Sequence, residues 1–249
     1  MKSFISEDDI EQAICNRLSL PEYGWKRIEC DARVEAQDDV STTGRANPSE
    51  CILPDVFLAA LKRLNPQVEE GVLQGILRNF RKDYTATDMV ETNYKLYNQL
   101  RNGIKKPVRK NGKEDFDIVR LIDFDHPERN LFKVVNQWRV EEYKNKRCDM
   151  VVMVNGLPLV VVELKSAISE DATIDDAYKQ IKNYQQSVPS LFSYNAFNVI
   201  SDMSETRAGT ITAKLERYME WKTVDGSYES TLFADYRTFF LGMFQQQRL

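Results

Sequence analysis

The sequence lacks any run of about eighteen apolar residues, the length that a membrane-spanning helix needs. The amino terminus is acidic and polar, which excludes a secretory signal peptide there. The four cysteines show no C-x-x-C spacing of the kind that marks redox and zinc sites; they are Cys15, Cys30, Cys51 and Cys148. We therefore expect a cytoplasmic protein with reduced thiols and no membrane partner.

Several catalytic motifs are also absent. His126 is the single histidine among 249 residues, which excludes a His-rich metal cage, and its neighbour Pro127 favours a loop position over a catalytic base. No G-x-x-x-x-G-K-[ST] loop exists, because Glu114 follows Gly112-Lys113. The net charge of −4 argues against a mainly electrostatic nucleic-acid binder, although a local basic patch can override this average.

Hydrophobic periodicity and capping signals predict alternating helices and strands, and hence an α/β (α+β) fold in which helices pack around a sheet. Extra helices fall in the N-terminal half. The predicted helices span residues 6–18, 52–64, 69–80, 91–100, 173–187 and 230–247, and the predicted strands span residues 25–30, 114–123, 132–140 and 197–200 together with a hairpin over 147–166. Residues 204–212 are predicted as a polar loop. The last helix is predicted to expose its aromatic residues, which suggests a longer parent protein.

The hairpin carries the clearest chemical signal. Two apolar, β-branched runs flank Asn155-Gly156, a strong hairpin signal. Asp149 opens the first run, whereas Glu163 and Lys165 end the second and share one face of their strand. Because a buried carboxylate costs several kcal/mol (rough order) unless it is paired, the three residues indicate a site. The alternative is a structural ion pair between Glu163 and Lys165.

The strand register decides whether the two acids meet. A two-residue turn alone pairs Val154 with Leu157 and turns Asp149 and Glu163 to opposite faces of the sheet. An odd-length loop or a bulge places Asp149 directly opposite Glu163. We therefore predict an odd-length loop or a bulge in this hairpin.

Two further features remain open. Glu11 borders the apolar face of the first predicted helix, so it is either a solvated helix charge or a further acid of the site. Residues 101–113 form a basic segment without an acid, which either contacts DNA phosphates or is a solvated hairpin or loop. Its candidate DNA contacts are Lys105, Lys106, Arg109 and Lys110.

The spacing Asp149-(thirteen residues)-Glu163-x-Lys165, followed by a helix with Gln180-x-x-x-Tyr184, resembles the PD-(D/E)xK nuclease superfamily. The Asn-Gly-Leu-Pro-Leu block before Glu163 is similar to the nuclease motif of the restriction (R) subunit of type I restriction–modification enzymes. The likeness extends to Asn-Gln-Trp at 136–138 and Arg-Ala-Gly-Thr at 207–210. Cys148 departs from the proline of the superfamily name, at a position that is not a ligand.

The resemblance implies a restriction-endonuclease-like core, with a central mixed sheet flanked by helices, and a role for each matched position. Asp149, Glu163 and the Leu164 backbone carbonyl would bind Mg²⁺, for which Mn²⁺ can substitute, with Glu11 as a possible further ligand. Lys165 would orient the attacking water or stabilise charge on the phosphate. Gln180 and Tyr184 would support the site and contact DNA.

The resemblance also implies a context. A single nuclease domain would cover residues 1–249, with a core over about 115–205 plus helix 6–18 and a helical insertion over about 50–100. ATP-driven translocase domains would follow in a longer chain, and the partners would be double-stranded DNA and the methylation and specificity subunits. Two rival interpretations are a stand-alone nuclease of the same superfamily and a catalytically degenerate DNA-binding or scaffold module.

Overall fold

The computed structural model describes residues 6–30, 42–81, 88–110, 113–165, 173–202, 205–227 and 236–249. Its main sheet has seven strands in the order β1-β4-β5-β6-β7-β8-β9. These are β1 (Lys26–Glu29), β4 (Phe132–Glu141), β5 (Asn145–Val154), β6 (Leu157–Leu164), β7 (Phe197–Ser201), β8 (Thr206–Gly209) and β9 (Met219–Glu220). The pairs β1/β4 and β6/β7 are parallel and the other pairs are antiparallel. The predicted mixed sheet is confirmed.

Helices flank this sheet, as predicted. They are α1 (Glu7–Leu18), α2 (Pro54–Leu64), α3 (Glu70–Phe80), α4 (Met89–Asn102), α5 (Ile174–Ser187), α6 (Pro189–Phe192) and α7 (Tyr236–Met243). Helix α1 begins at a capping box in which Ser6 and Asp9 exchange hydrogen bonds, and α5 begins at the equivalent box of Thr173 and Asp176. No helix in the described part of the chain is long and apolar enough to cross a membrane.

The β5–β6 hairpin combines a two-residue turn with a bulge. Asn155 and Gly156 both have positive φ angles, 53° and 82°, as a tight hairpin turn requires. Val154 therefore pairs with Leu157, but the register shifts farther along the strand, where Val152 pairs with Val160. Pro158 lacks an N–H group and is thus compatible with an interrupted ladder in a central strand. The shift leads to the pair Met150–Val162, so that Asp149 faces Glu163 one position on. The predicted bulge is confirmed.

The prediction that the last helix exposes its aromatic residues is wrong for those that the structure describes. Phe239, Phe240 and Phe244 are all buried. Trp25 donates a hydrogen bond from Nε1 to the Phe244 carbonyl oxygen at 3.0 Å, and the two rings pack edge to face. The helix buries its apolar face against α1 and β8 of the same chain. The first part of the predicted helix, residues 230–235, lies outside the described residues.

Two β-strand assignments also differ from the prediction. Residues 204–212, predicted as a polar loop, contain β8, whose backbone pairs with β7 although its sequence carries no apolar alternation. The basic segment forms β2 (Ile104–Lys110), which pairs with β3 (Lys113–Val119) in a separate two-stranded sheet. The predicted strand over 114–123 thus belongs to this hairpin, with Phe116 and Ile118 exposed.

Candidate active site

The site forms where the end of β6 faces the middle of β5. Asp149 is the fifth residue of β5 and Glu163 is near the end of β6, and the bulge sets them opposite each other. Glu163 is only 2% exposed. Asp149 Oδ2 accepts a hydrogen bond from the Leu164 backbone N–H at 2.8 Å. The aspartate is therefore fixed against the strand that carries the glutamate.

Burial raises the pKa of both carboxyl groups, because water no longer stabilises their charged forms. The pKa of Asp149 is raised to about 6, although the Leu164 N–H and the Lys165 charge oppose the rise. The pKa of Glu163 is raised to about 8, first by burial and then by the charge of Asp149. A buried glutamate and a partly buried aspartate that share one lysine carry excess negative charge when ionised, and this arrangement favours a further cation.

The ammonium group of Lys165 lies beside the predicted metal ligands. Its Nζ contacts Glu163 Oε1 and lies 3.1 Å from the Leu164 carbonyl oxygen. Burial alone would lower the pKa of Lys165, but the Glu163 carboxylate outweighs this effect and the pKa is raised. Carboxylate and carbonyl oxygens are the hard ligands that Mg²⁺ prefers. The donor set therefore fits such an ion.

A metal ion at this site would have few side-chain ligands. Among the residues that the structure describes, no three histidine, cysteine, aspartate or glutamate side chains are grouped to hold a metal ion. Mg²⁺ usually keeps several of its waters and binds proteins through one or two carboxylates. Asp149, Glu163 and the Leu164 carbonyl satisfy that requirement without a third acid.

Helix α5 supports the site from the glutamate side. The buried Tyr184 hydroxyl lies 2.9 Å from Glu163 Oε2 and 2.8 Å from the Arg147 carbonyl oxygen. A hydroxyl has one proton and a carbonyl can only accept, so the tyrosine donates to one oxygen at a time. Burial raises the pKa of Tyr184 well above its usual range, and the hydroxyl stays neutral. Gln180 lies beside this hydroxyl, one helical turn earlier.

Glu11 approaches from α1 and is 2% exposed, unlike a solvated helix charge. Its Oε1 accepts a hydrogen bond from Asn136 Nδ2 at 2.9 Å, and its Oε2 accepts one from Gln137 Nε2. Burial raises the pKa of Glu11 to about 7, the two amides lower it, and the charge of Asp149 raises it. Glu11 therefore lies within electrostatic range of Asp149, held by amides.

The structure does not bring the basic segment to this site. The base of the β2–β3 hairpin lines a cleft of about 910 Å³ together with Val154 and Leu159, at the turn end of β5 and β6. Asp149 lies five residues from Val154, roughly 17 Å along an extended strand. Lys105 is exposed and Lys106 pairs across the ladder with Asp117. The side chains of Arg109 and Lys110 lie outside the described residues.

Sequence reasoning did not assign Asn136 and Gln137 to the site. They entered only as part of a family likeness, although an Asn-Gln pair that interrupts an apolar strand is itself a signal of buried polar contacts. It also passed over Glu7, whose charge raises the pKa of both Asp149 and Lys165. The spacing of Glu7 and Glu11, four residues apart on α1, was the available signal.

The sequence is similar to known proteins of type I restriction systems. Residues 4–217 match the family described as the type I restriction enzyme R protein N terminus. The HindI endonuclease subunit of Haemophilus influenzae is 34% identical over 91% of this chain and 21% of its own length. A Methanocaldococcus jannaschii protein, provisionally named the MjaIXP endonuclease subunit, is 32% identical over 73% of this chain and 18% of its own length. The EcoprrI endonuclease subunit of Escherichia coli is 32% identical over 53% of this chain.

The chain thus spans about a fifth of the length of the Haemophilus and Methanocaldococcus relatives. The matched region includes every residue of the candidate site, from Glu11 to Tyr184. The chain belongs to the family of type I restriction enzyme R proteins and corresponds to their N-terminal region.

Proposed function

We propose that this chain is the Mg²⁺-dependent DNA endonuclease region of a type I restriction–modification R protein. It hydrolyses phosphodiester bonds of unmodified foreign DNA. The observation that carries the proposal is the β5–β6 bulge, which sets Asp149 opposite the buried Glu163, beside Lys165. The relatives are named as endonuclease subunits, which supports phosphodiester hydrolysis as the reaction. The paired acids can bind the metal ion that assists such a hydrolysis.

Each residue has a proposed role in this reaction. Asp149, Glu163 and the Leu164 carbonyl would hold Mg²⁺, which would make water more acidic and offset negative charge on the phosphate. Mn²⁺ can replace Mg²⁺ at these oxygen ligands. Lys165 is 22% exposed at the rim of the site, where its ammonium group can orient the attacking water or stabilise charge on the phosphate.

The remaining residues position these groups. The Tyr184 hydroxyl holds Glu163 Oε2, and Gln180 lies beside that hydroxyl. Both residues support the site and contact DNA. Glu11 supports the cation from the α1 side. The β2–β3 hairpin contacts DNA phosphates away from the reaction centre; these contacts involve Lys105, Lys106, Arg109 and Lys110.

The wider context is part of the proposal. In the longer relatives, translocase domains outside this chain would use ATP to move DNA toward the nuclease. Double-stranded DNA and the methylation and specificity subunits are then the partners, and the cytoplasm is the compartment. Sequence recognition would belong to the specificity subunit.

The test uses the assembled enzyme that carries this region. Asp149→Ala and Lys165→Ala should each abolish double-strand cleavage of unmodified DNA, because metal binding or charge stabilisation is lost. ATP hydrolysis by the same complex should continue at the parental rate, since the translocase is untouched. Full cleavage by either variant would refute the proposed roles.

A further inference from the structure

Two neighbouring residues of β4 share one hydrogen-bond acceptor. Asn136 and Gln137 both donate side-chain amide hydrogen bonds to the carboxylate of Glu11. Successive side chains of a strand point to opposite faces of a sheet. Two consecutive amides can therefore reach one carboxylate only if the backbone departs from regular β geometry between them.

That departure is visible at Gln137, whose φ angle is +52°. The residue is not a glycine, so this left-handed conformation carries a free-energy cost that the surrounding structure must offset. The register is continuous, since Asn136 pairs with Met150 and Trp138 pairs with Cys148. Gln137 therefore lies opposite Asp149 without an inserted residue, and a regular strand would direct its side chain to the face of Asp149.

The partners of Asn136 and Glu11 fix the direction of this contact. Arg27 Nε donates to Asn136 Oδ1 at 3.4 Å, which turns the amide nitrogen of Asn136 toward Glu11. Glu11 lies on the rigid α1, whose first turn is held by the Ser6–Asp9 capping box. The carboxylate is thus held by a helix on one side and by two amides of β4 on the other.

We propose that Gln137 is a positioning residue of the cation site. Its left-handed backbone turns its amide away from Asp149 and onto Glu11, and the amide fixes the Glu11 carboxylate so that it accepts hydrogen bonds from waters of the cation held by Asp149 and Glu163. This inference rests on the proposed function. It explains the distorted backbone of β4 by a function in the cation site. Glu11 would contact the cation through water and not directly, as expected for a metal ion that retains its waters.

Two substitutions separate the amide from the backbone. Gln137→Gly removes the amide and relieves the left-handed conformation, whereas Gln137→Met removes the amide, keeps the side-chain length and leaves the backbone cost in place. Each variant should bind Mn²⁺ about tenfold or more weakly in titration calorimetry, the usual effect of losing an outer-sphere partner. A purely structural amide would change the unfolding temperature and leave the Mn²⁺ affinity unaltered.

A double-mutant cycle tests whether Gln137 acts through Glu11. In a Glu11→Gln background, the further change Gln137→Gly should leave the Mn²⁺ affinity unchanged. Equal losses with and without Glu11, or parental affinity in both Gln137 variants, would overturn the inference. If Gln137 variants bind normally while Asp149→Ala does not, the inference fails and the proposed function stands. If the parent chain itself binds no Mn²⁺, both fail.

Discussion

The buried Glu163 and the partly buried Asp149 face each other, and the loss of water around their carboxyl groups needs an explanation. Each has a protein donor, the Leu164 N–H for the aspartate and the Tyr184 hydroxyl and Lys165 for the glutamate. These contacts do not balance the loss of water, because the pKa of each group remains raised. The folded, metal-free chain therefore holds protons at the site that the unfolded chain would release.

This proton uptake predicts the pH dependence of stability. A carboxyl group with a raised folded-state pKa contributes stability that is fully present below its unfolded pKa and is lost as the pH rises through the folded pKa. For Asp149 and Glu163 these folded values are about 6 and about 8. The unfolding temperature of the metal-free chain should fall between about pH 4 and about pH 8, by roughly 2–4 °C for each kcal/mol lost. Differential scanning calorimetry across this range measures the change.

Glu163→Gln should make this pH profile shallower, since the amide does not ionise. The matched control is Glu70→Gln, which removes an exposed carboxylate whose pKa is lowered by Lys62. The control should keep the parental profile. A Glu163→Gln profile as steep as that of the parent would show that the pH dependence arises elsewhere.

The Tyr184 hydroxyl is a second test of the site's internal contacts. Tyr184→Phe leaves the Arg147 carbonyl and Glu163 Oε2 without their partner in a buried setting. The free energy of unfolding should fall by about 1–3 kcal/mol, as it does for other unsatisfied buried groups. Chemical denaturation measures the change.

Tyr178→Phe is the matched control on the same helix, because the Tyr178 hydroxyl lies 3.4 Å from the Ala213 carbonyl oxygen, a long contact. It should cost about 0.5 kcal/mol or less. Equal losses in the two variants would contradict a special role for the Tyr184 hydroxyl.

Among the elements, the β5–β6 hairpin was largely predictable from sequence. Asn155-Gly156 specifies a tight turn. Asp149 can lie opposite Glu163 beyond such a turn only if one strand contains one extra residue. The sequence did not decide between a longer loop and a bulge, because both restore the same register. The structure has the two-residue turn and the bulge after Pro158.

The tight turn leaves no room for a side chain at Gly156. A Cβ there would lie 2.6 Å from the Leu53 carbonyl oxygen and 2.8 Å from the Phe57 nitrogen, at a φ angle of +82°. Gly156→Ala should therefore lower the free energy of unfolding by about 2 kcal/mol or more. In contrast, Gly71 of α3 has no atom within 4 Å of an added Cβ, and Gly71→Ala should raise stability by about 0.4–1 kcal/mol. Opposite signs in denaturant unfolding are expected; a neutral Gly156→Ala would contradict the close approach of α2 to the turn.

Other elements could not be predicted, for identifiable physical reasons. Strand β8 is held by backbone pairing with β7. Its sequence has no apolar pattern from which a strand could be predicted. The left-handed backbone at Gln137 depends on a contact with Glu11, which lies 126 residues away in sequence. The burial of Phe244 depends on Trp25 in the same way. Local patterns predict which face of an element is apolar but do not identify what covers it.

At the scale of the whole molecule, one buried cluster joins the sheet to the N-terminal helices. It includes Phe57 and Phe80 from α2 and α3, Trp138 from β4 and Phe244 near the carboxyl end. The Tyr194 hydroxyl donates to the Phe80 carbonyl oxygen at 2.6 Å, which ties α3 to the segment before β7. We propose on this basis that the helical insertion and the nuclease core form a single domain.

A single domain should unfold in one cooperative transition. The calorimetric and van't Hoff enthalpies of the 249-residue chain should then agree, and near- and far-ultraviolet circular dichroism should report the same midpoint. Two resolved transitions would assign the insertion over about 50–100 to a separate folding unit.

The central claim is that Asp149 and Glu163 form a divalent-cation site, and titration calorimetry with Mn²⁺ tests it most directly. The parent chain should bind Mn²⁺, Asp149→Ala should lose this binding, and Asp125→Ala, which removes an exposed loop carboxylate, should bind like the parent. Absence of binding by the parent, or unchanged binding by Asp149→Ala, would contradict the assignment of these acids to a metal site.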